Sequence, residues 1–437
     1  MARNIRTSIF AIGATSMLSL ALAGCGSTSA TSGTSSHHIT LSVMSWNVAA
    51  DTLQRDAALY EKAHPNVTIH VIIENSPTST YTKLNAELAS GSNVPDIMTI
   101  ETYIAPSFLN RFPTSFLNVT KDVGSLKPKF AAEKWASLTS NGKIYGIPWD
   151  VGPSMIFYRR DMFKAADVNP STIQTWQQFI QAGQKIENHY HGQVKLTTWG
   201  SGSTGLYREM LYEQNTYWFN KKGQIAITSP ASIRAVDVLR EMYKDGLLSV
   251  VPYANGWNDT IQAFTNNQIA TAPDGIWYVG TIEQSAPSQS GKWGVFPLPA
   301  FTPNGSHAAN LGGSNLLISA STPHPKTAVS FAEFCMTNTQ ALNNSMHYGI
   351  FPSYLPYYSN PIIQKPLPFF DNQKVFELAA EEAKEIPVVN HTSNWETAHP
   401  IIENALQEAV LNGVPAATAM RQAAQKISQQ TGQSIAP

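Results

Sequence analysis

The hydrophobic and polar positions at the start of the folded chain change periodicity in a regular order. Residues 39–46 (ITLSVMSW), 67–73 (VTIHVII) and 95–100 (PDIMTI) alternate or run apolar over short lengths, as strands do. Residues 49–66 and 80–91 repeat their apolar positions at helical spacing, and each stretch ends at a helix breaker, His-Pro-Asn or Gly. Strand, helix, strand, helix, strand predicts an α/β lobe built on a parallel sheet.

Helical periodicity dominates the later part of the chain. Residues 175–188 and 229–246 are predicted helices, and the second has Ser229 as its N-cap, Pro in its first turn and Gly at its end. The short strands WGVFPLP and NLLISAS flank a glycine-rich turn at residues 310–314. Two helices close the chain. We expect the first of them to begin only at about Pro400, because proline lacks an N–H.

The N-terminal segment has the order of an export signal. Arg3 and Arg6 precede an uncharged stretch over residues 7–24, whose apolar part is too short to span a membrane. The stretch runs into LAGC, which resembles the bacterial lipobox, where the cysteine (here Cys25) is lipidated. A plain secretory signal with an incidental cysteine is the alternative. Residues 26–36 are small or hydroxylated and predict a flexible tether.

The expected organisation is therefore a signal peptide over residues 1–24 and a tether over residues 25–38, with the working part outside the cytoplasm. The protein would be lipid-anchored to the cell membrane, at a bacterial surface or a periplasmic face. No later segment has eighteen uninterrupted apolar residues, so we expect the lipid to be the only membrane attachment. Cys335, at helical apolar spacing, is predicted to be a buried small hydrophobe.

Charge and composition exclude some classes of partner. Without Arg3 and Arg6 the chain keeps 27 of its 29 basic residues against 30 acidic ones, a net charge of −3. That balance provides no basic field for nucleic acid or anionic lipid. Ten Trp, sixteen Tyr and eighteen Phe make the chain rich in aromatic residues, although charged residues are only 14% of it. The mature chain is long enough for two or more domains.

Several segments carry a family resemblance through their order and spacing. They are LSVMSW, LYEKAHPNVTIHV, ASGSNVPDIMTIE, NGKIYGIPWDVGPSMIFYRRDMF with TWQQF, AFTNNQIATAPDGIWYVG, WGVFPLPAF, LGGSNLLIS, AVSFAEFCMTN and GIFPSY. In this order across residues 39–430 they resemble the family 1 extracellular solute-binding proteins of ABC importers, the group that includes the maltodextrin-binding proteins. No single segment is diagnostic.

The resemblance implies an α/β fold of two discontinuous lobes joined by hinge crossovers, of the periplasmic-binding-protein type II. Lobe 1 would comprise residues 39–149 and 314–349, and lobe 2 residues 150–313 and 350–437. The crossovers would lie near residues 148–152, 312–315 and 350–353, where Gly and Pro cluster. The lobes would close on a ligand held between them.

A neutral sugar has hydroxyls that bind carboxylates and amides, and flat C–H faces that stack on aromatic rings. Trp46 and Asn47 follow the first strand, at the edge where α/β clefts form. The resemblance implies an acidic contact at Asp150 and stacking aromatics at Trp277 and Trp395. The candidate contacts are Trp46, Asn47, Glu101, Thr102, Tyr103, Trp149, Asp150, Trp199, Asp274, Gly275, Trp277, Tyr278, Gly312, Gly313, Ser314, Asn394 and Trp395, with Tyr207, Asn255 and Trp257 as weaker ones.

Each candidate also has a purely structural explanation. Trp46 would then pack beneath its own sheet, and residues 101–103 would form a solvated loop. His189 and His191 lack acidic or cysteine partners at metal-binding spacing, which indicates a loop rather than a zinc site. GSGSTG at residues 200–205 matches neither a phosphate loop nor a nucleophile elbow. We expect no metal and no cofactor.

The predicted function is a receptor that binds a carbohydrate, an oligosaccharide, and delivers it to the permease of an ABC importer. The receptor is expected to be a monomer without catalytic activity. One alternative keeps the fold but binds glycerol phosphate diesters or another anion, which would require Arg or Lys in the cleft. Another is a surface glycosidase using two of Glu101, Asp150 and Asp274, with carboxyl groups about 5–5.5 Å apart for retention or about 6.5–9.5 Å apart for inversion.

Overall fold

Strands and helices alternate along the chain as far as the third strand, and helices dominate after it. The structure is a computed structural model that describes residues 38–252 and 256–437. The strands are β1 (Ile39–Trp46), β2 (Val67–Glu74), β3 (Ile97–Glu101), β4 (Thr139–Ser140), β5 (Lys143–Ile144), β6 (Gly146–Pro148), β7 (Ser154–Arg159), β8 (Thr197–Gly200), β9 (Leu248–Val251), β10 (Thr271–Gly275), β11 (Trp293–Pro297) and β12 (Ser314–Ile318). The helices are α1 (Asn47–Ala63), α2 (Pro77–Ser90), α3 (Ala105–Arg111), α4 (Thr120–Val123), α5 (Ala132–Leu138), α6 (Arg160–Ala165), α7 (Trp176–His189), α8 (Gly205–Glu213), α9 (Pro230–Lys244), α10 (Gly256–Thr265), α11 (Tyr278–Ser285), α12 (Pro325–Thr337), α13 (Thr339–His347), α14 (Val375–Glu385), α15 (Trp395–Val410) and α16 (Ala416–Thr431).

The larger sheet combines the first three strands with two strands from later in the chain. Its order is β2-β1-β3-β12-β6. β1 pairs in parallel with β2 and β3, because α1 and α2 return the chain to the same edge of the sheet. β12 runs antiparallel between β3 and β6. This sheet therefore needs a strand that lies more than 200 residues after β3 in sequence, which the local hydrophobic pattern alone does not predict.

A second group of elements builds a separate apolar core. β7 is the central strand of an antiparallel sheet, between β10 and β11, and β8 pairs in parallel with β9. Trp176, Leu239 and Met420 belong to one buried cluster in this part of the chain. Leu41 and Leu317 belong to a different cluster, which covers the larger sheet. The larger sheet with its core and this second group of strands with a separate core make two α/β lobes.

The three segments that the resemblance identifies as crossovers lie side by side. The N–H of Val151 donates to the carbonyl oxygen of Phe351 at 2.9 Å. The N–H of Ser353 donates to the carbonyl oxygen of Trp149 at 2.9 Å, and the N–H of Trp149 donates to that of Ser314 at 3.1 Å. The backbone of all three segments is therefore paired where the chain passes between the sheets.

The helix boundaries confirm most of the capping predictions and correct one. Ser229 accepts a hydrogen bond from the N–H of Ser232 and begins α9, as predicted. The prediction that the first C-terminal helix starts at Pro400 was wrong, because α15 begins at Trp395 and contains Pro400. A proline at that depth removes a single bond, from its own nitrogen to the carbonyl of Glu396, and the remaining turns keep the helix intact.

The structure bears on the predictions about the two cysteines and about membrane-spanning segments. Cys335 is fully buried in α12 and forms no disulfide, as predicted. Cys25, the predicted lipidation site, lies outside the described residues. Within residues 38–252 and 256–437, the helices are too short or too polar for any of them to cross a bilayer.

Candidate functional site

A long cleft contains three adjoining chambers, with volumes of about 280, 560 and 780 Å³. Thr78 and Trp257 line all three, so the chambers are continuous. We call them the glycine chamber, lined by Gly312 and Gly313 (280 Å³), the tyrosine chamber, lined by Tyr81 and Tyr103 (560 Å³), and the threonine chamber, lined by Thr197 and Thr198 (780 Å³).

The ends of strands and the starts of helices supply most of the lining. β3 ends at Glu101, and β10 ends just after Asp274. β12 begins at Ser314, directly after the Gly312-Gly313 turn. α2 begins after Ser76, whose side chain accepts from the N–H of Ser79 and forms a capping box. Backbone polar groups at such ends are not used up by the sheet or helix, so these positions can present polar groups to a ligand.

Two indole rings form a platform at the junction of the chambers. Trp257 and Trp277 are stacked, with ring centroids 5.6 Å apart and planes 28° apart. The Trp257 side chain is 43% exposed. Trp277 is fixed by a hydrogen bond from its Nε1 to the carbonyl oxygen of Leu311 at 3.0 Å. Gly275 is required there, since a Cβ on it would lie 2.4 Å from Trp277 Nε1.

A second aromatic group lines the tyrosine chamber. The ring of Tyr103 lies 4.7 Å from that of Trp395, and the guanidinium of Arg208 lies 4.6 Å from the Tyr103 ring centroid. Trp395 is stacked on His399 at 4.2 Å and on Trp218 at 5.7 Å. Tyr103 follows β3, whereas Trp395 begins α15, so this group joins elements of both lobes.

Carboxylates lie beside these rings. Glu101 Oε2 accepts hydrogen bonds from the hydroxyls of Tyr81 at 3.0 Å and Tyr103 at 2.6 Å. Burial raises the pKa of Glu101, although the Tyr103 hydroxyl and the Arg208 charge oppose the rise. Asp274 Oδ1 accepts from the N–H of Gly275 at 2.8 Å. Burial raises the pKa of Asp274 to about 7, against the effects of that N–H and of Arg208.

A third carboxylate belongs to the glycine chamber. Asp150 Oδ1 accepts from the N–H of Ser314 at 2.6 Å. Burial raises the pKa of Asp150, and the nearby Lys134 ammonium opposes the rise. Asp150 therefore ties the first crossover to the start of β12.

Thirteen of the seventeen predicted contacts line the cleft. In the glycine chamber they are Trp46, Asn47, Glu101, Asp150, Trp277, Gly312, Gly313 and Ser314. The tyrosine chamber adds Tyr103, Asp274 and Trp395, and the threonine chamber adds Trp199 and Tyr278. Trp46 also has the structural role considered above, because it is 6% exposed and packs in the core of the first lobe.

Four predicted contacts lie elsewhere. Trp149 is 1% exposed and packs in the first lobe's core, because neighbouring residues in extended backbone point to opposite sides and Asp150 takes the cleft side. Thr102 is buried beneath the Gly313 turn. Gly275 makes room for Trp277, and Asn394 precedes α15 without lining a chamber. Of the weaker candidates, Trp257 lines the cleft, Tyr207 is buried against Ser232, and Asn255 lies outside the described residues.

The most informative residue that the sequence did not single out is Arg208. It is the one Lys or Arg among the described residues that line the three chambers. Five acidic residues share the same linings, namely Glu101, Asp150, Asp274, Glu396 and Glu403. The signal in the sequence is one basic residue between Tyr207 and Glu209 in GLYREMLYE, and that pattern also fits an ordinary surface position.

Known proteins provide an independent comparison. The sequence profile of the bacterial extracellular solute-binding protein family matches residues 46–342. The chain is 30% identical over 378 residues to the lactose-binding protein of Rhizobium radiobacter, across 85% of each chain. It is 28% identical over 252 residues to the arabinooligosaccharide-binding protein of Bacillus subtilis strain 168, across 57% of this chain and 58% of that protein.

Solved structures share the architecture. The chain superposes with a TM-score of 0.77 and 23% identity on the ABC transporter associated binding protein from B. animalis subsp. lactis Bl-04, in complex with β-1,6-galactobiose, over 91% of this chain and 99% of that one. Maltose-bound T. maritima MalE3 superposes with a TM-score of 0.74 and 20% identity, over 90% and 100% of the two chains. The fold is the two-lobe type II fold, as predicted. Because the family profile spans more than half of its length, the chain belongs to the bacterial extracellular solute-binding protein family.

Proposed function

We propose that the protein binds a neutral oligosaccharide in the three-chambered cleft and delivers it to the permease of an ABC importer. One observation carries the proposal: the stacked Trp257 and Trp277 rings stand beside the Asp274 carboxylate in one cleft. Aromatic faces bind the C–H faces of sugars, and carboxylates accept hydrogen bonds from sugar hydroxyls. An adjacent ring and carboxylate can therefore hold both kinds of sugar surface at once.

The size of the cleft supports a ligand of more than one sugar unit. Each of the two larger chambers, at about 560 and 780 Å³, is already in the range of sites for drug-sized ligands. The relatives support the same class of ligand, since they include a lactose-binding protein and two arabinooligosaccharide-binding proteins. Stacking platforms at Trp277 and at Trp395 offer places for successive rings.

Ligand capture would use closure of the lobes. We assign residues 39–149 and 314–349 to one lobe and residues 150–313 and 350–437 to the other, with the three paired crossovers between them. A saccharide that contacts Glu101 on one side and Asp274 on the other binds the closed form better than the open form. Closure is favoured by that difference in affinity alone. The permease would then recognise the closed form.

The anchoring of the receptor is part of the proposal. Lipidation of Cys25 after removal of residues 1–24 would attach a monomeric receptor to the extracytoplasmic face of the membrane. The tether over residues 25–38 would let the folded part move over the permease. Labelling of cells with a fatty-acid analogue should mark the wild-type protein and leave Cys25→Ser unmarked; labelling of Cys25→Ser at the wild-type level would contradict the anchor.

The charges in the cleft favour a neutral ligand over an anion. Arg208 is the kind of residue that an anionic ligand would require, but it faces Tyr103 and interacts electrostatically with Glu101 and Asp274. Five acidic residues in the linings would repel a phosphate or carboxylate. Glycerol phosphate diesters are therefore a useful negative control.

Intrinsic tryptophan fluorescence of the purified protein tests the proposal. We expect a saturable change with one class of neutral oligosaccharide, a weaker one with the corresponding monosaccharides and none with glycerol phosphates. Product analysis of the same mixtures should recover the saccharide unchanged. A response confined to phosphates, or the appearance of hydrolysis products, would contradict the proposal.

A further inference from the structure

A lysine without any sequence signal lies directly beneath the glycine chamber. Lys134, in α5, is fully buried. Its ammonium donates hydrogen bonds to Thr102 Oγ1 and, at 3.0 Å, to the carbonyl oxygen of Ser314. Burying an ammonium is costly unless it is hydrogen-bonded and paired with an opposite charge. Lys134 therefore holds the Thr102 hydroxyl and the Ser314 carbonyl in place through these hydrogen bonds.

Thr102 connects the lysine to the glycine turn. The Thr102 hydroxyl accepts from Lys134 and donates to the carbonyl oxygen of Gly313 at 2.9 Å, and the Thr102 N–H donates to the same oxygen at 2.9 Å. Gly313 has a φ of +73°, and a Cβ on it would lie 2.9 Å from the Asp150 carbonyl oxygen and 3.4 Å from Lys134 Nζ. The turn therefore packs tightly against the backbone of the first crossover and lies within van der Waals distance of the lysine.

Lys134 also lies where the three crossovers meet. Ser314, which accepts from Lys134, donates its own N–H to Asp150 Oδ1 on the first crossover at 2.6 Å. Just before α5, the N–H of Ala131 donates to the carbonyl oxygen of Ser353 on the third crossover at 3.2 Å. One short segment therefore bonds directly to the second and third connections between the lobes, and it reaches the first through Ser314.

The charges around the ammonium come from several elements. Burial lowers the pKa of Lys134 to about 8, while Asp150, Glu133 and Glu101 oppose that decrease. These carboxylates belong to the first crossover, to α5 itself and to the end of β3. His391 also interacts electrostatically with the Lys134 ammonium. Burial lowers the pKa of His391 to about 3, and the charges of Arg208 and Lys134 add to the decrease. The His391 ring is therefore neutral.

We propose that Lys134 is a positioning residue for ligand binding, whose ammonium holds the Gly313-Ser314 turn, Thr102 and Asp150 in the arrangement that the glycine chamber presents to a ligand. The proposal rests on the saccharide-binding function proposed above. Lys134 does not itself line a chamber, so it acts through these partners. Saccharide affinity then depends on the charge of a side chain that never touches the sugar.

The pH dependence of affinity tests this role. Calorimetric titration of the wild-type protein with the saccharide that gives the largest fluorescence response should show affinity falling above pH 8, by up to about tenfold per pH unit, as the ammonium loses its proton. Lys134→Met should bind about tenfold more weakly at pH 7 and lack the alkaline fall. Lys143→Met, which removes an exposed lysine of the same lobe, should behave as wild type.

Glu209 needs a separate variant, because burial raises its pKa to about 8 as well. In Glu209→Gln the alkaline fall should persist. A wild-type affinity that is flat above pH 8, or a fall that persists in Lys134→Met, would overturn the proposal. If Lys134→Met does not fold, the wild-type and Glu209→Gln profiles together still test the proposal, because an affinity that is flat above pH 8 in the wild type, or a fall lost in Glu209→Gln, would overturn it.

A measurement without ligand separates this proposal from the proposed function. Amide hydrogen exchange at Thr102 and Ser314 in the ligand-free protein should be at least about tenfold faster in Lys134→Met than in Lys143→Met. Unchanged exchange at both amides would overturn the positioning role. If the wild-type protein bound no saccharide, the proposed function would fail, and the exchange rates would still decide whether Lys134 holds the turn.

Discussion

Trp257 and Trp277 lie ring against ring, with centroids 5.6 Å apart, although they come from different elements of the second lobe. Trp277 is fixed by its hydrogen bond to Leu311, whereas Trp257 is 43% exposed. A ligand that covers this exposed ring gains the free energy of removing its apolar area from water. The pair therefore forms one stacking platform, in which a hydrogen bond holds Trp277 in place and Trp257 is the more exposed ring.

Removal of the Trp277 ring should lower the affinity for the oligosaccharide and leave the protein folded. Trp277→Ala is expected to lower oligosaccharide affinity by about 1–2 kcal/mol, roughly tenfold, because the stacking surface is lost. Calorimetric titration measures the change, and circular dichroism checks the fold. Tyr243→Ala, which removes an exposed aromatic ring outside the cleft, is the matched control and should bind as wild type. Equal losses in the two variants would contradict a specific role for Trp277.

The glycine before Trp277 should be intolerant of a side chain. A Cβ at Gly275 would lie 2.4 Å from Trp277 Nε1 and 2.5 Å from the Leu311 carbonyl oxygen. Gly275→Ala should therefore displace the indole, lower stability by about 1–3 kcal/mol and weaken saccharide binding. Gly124→Ala, where a Cβ meets nothing within 4 Å, is the control. Urea unfolding of both variants measures the difference, and equal stabilities would refute the steric argument.

Affinity should rise with pH through the neutral range because of Asp274. Its pKa is raised to about 7 by burial, so the carboxyl is mostly protonated at pH 6 and mostly ionised at pH 8. The ionised form accepts hydrogen bonds from sugar hydroxyls at both oxygens, so a bound sugar favours ionisation. Titrations at pH 6 and pH 8 should show tighter binding at pH 8. Asp274→Asn should bind weakly at both values, and an unchanged pH dependence in that variant would assign the effect to another group.

A buried acid beneath the cleft should make the fold less stable as pH rises. Both carboxylate oxygens of Glu209 are buried, and burial raises its pKa to about 8, with Asp274 contributing. In the unfolded chain this group ionises near its ordinary pKa of 4.5, so the free energy of unfolding should fall between about pH 4.5 and pH 8 and then level off. Glu209→Gln should remove about 1–3 kcal/mol of that fall, as measured by urea unfolding at pH 5 and pH 8.

The control for that prediction is Glu381→Gln, which changes an exposed glutamate on α14 in the same chemical way. Its pH dependence should match the wild type. If Glu381→Gln and Glu209→Gln changed the decrease in unfolding free energy between pH 5 and pH 8 equally, the buried Glu209 carboxyl would not be the cause of that decrease.

Local patterns in the sequence predicted the elements well. The bounds of β1 agree with the predicted strand because alternation and a sharp change of period mark both of its ends. The family resemblance implied only that residues 314–349 belong to the first lobe, and the insertion of β12 beside β3 was not predicted, since pairing over such a distance leaves no local signal. Pro400 misled the prediction of α15, because the rest of the helix compensates for one missing bond.

Prediction of the site was limited by side-chain direction. Trp149 and Asp150 are neighbours in sequence, and both were predicted to contact the ligand. In the structure Trp149 lies in the core and Asp150 lines the glycine chamber. Lys134 and Arg208 gave no distinctive pattern, because a basic residue in a helix is usually solvated. Their roles depend on which carboxylates the fold brings near them, and that information is not local.

The decisive test of the proposed binding site is the structure of a complex with the oligosaccharide that gives the strongest fluorescence response. We expect a sugar ring stacked on Trp277, with hydroxyls within hydrogen-bond distance of Glu101 and Asp274 and the two lobes closed around them. A sugar bound outside the three chambers, or a cleft occupied instead by an anion on Arg208, would contradict this expectation.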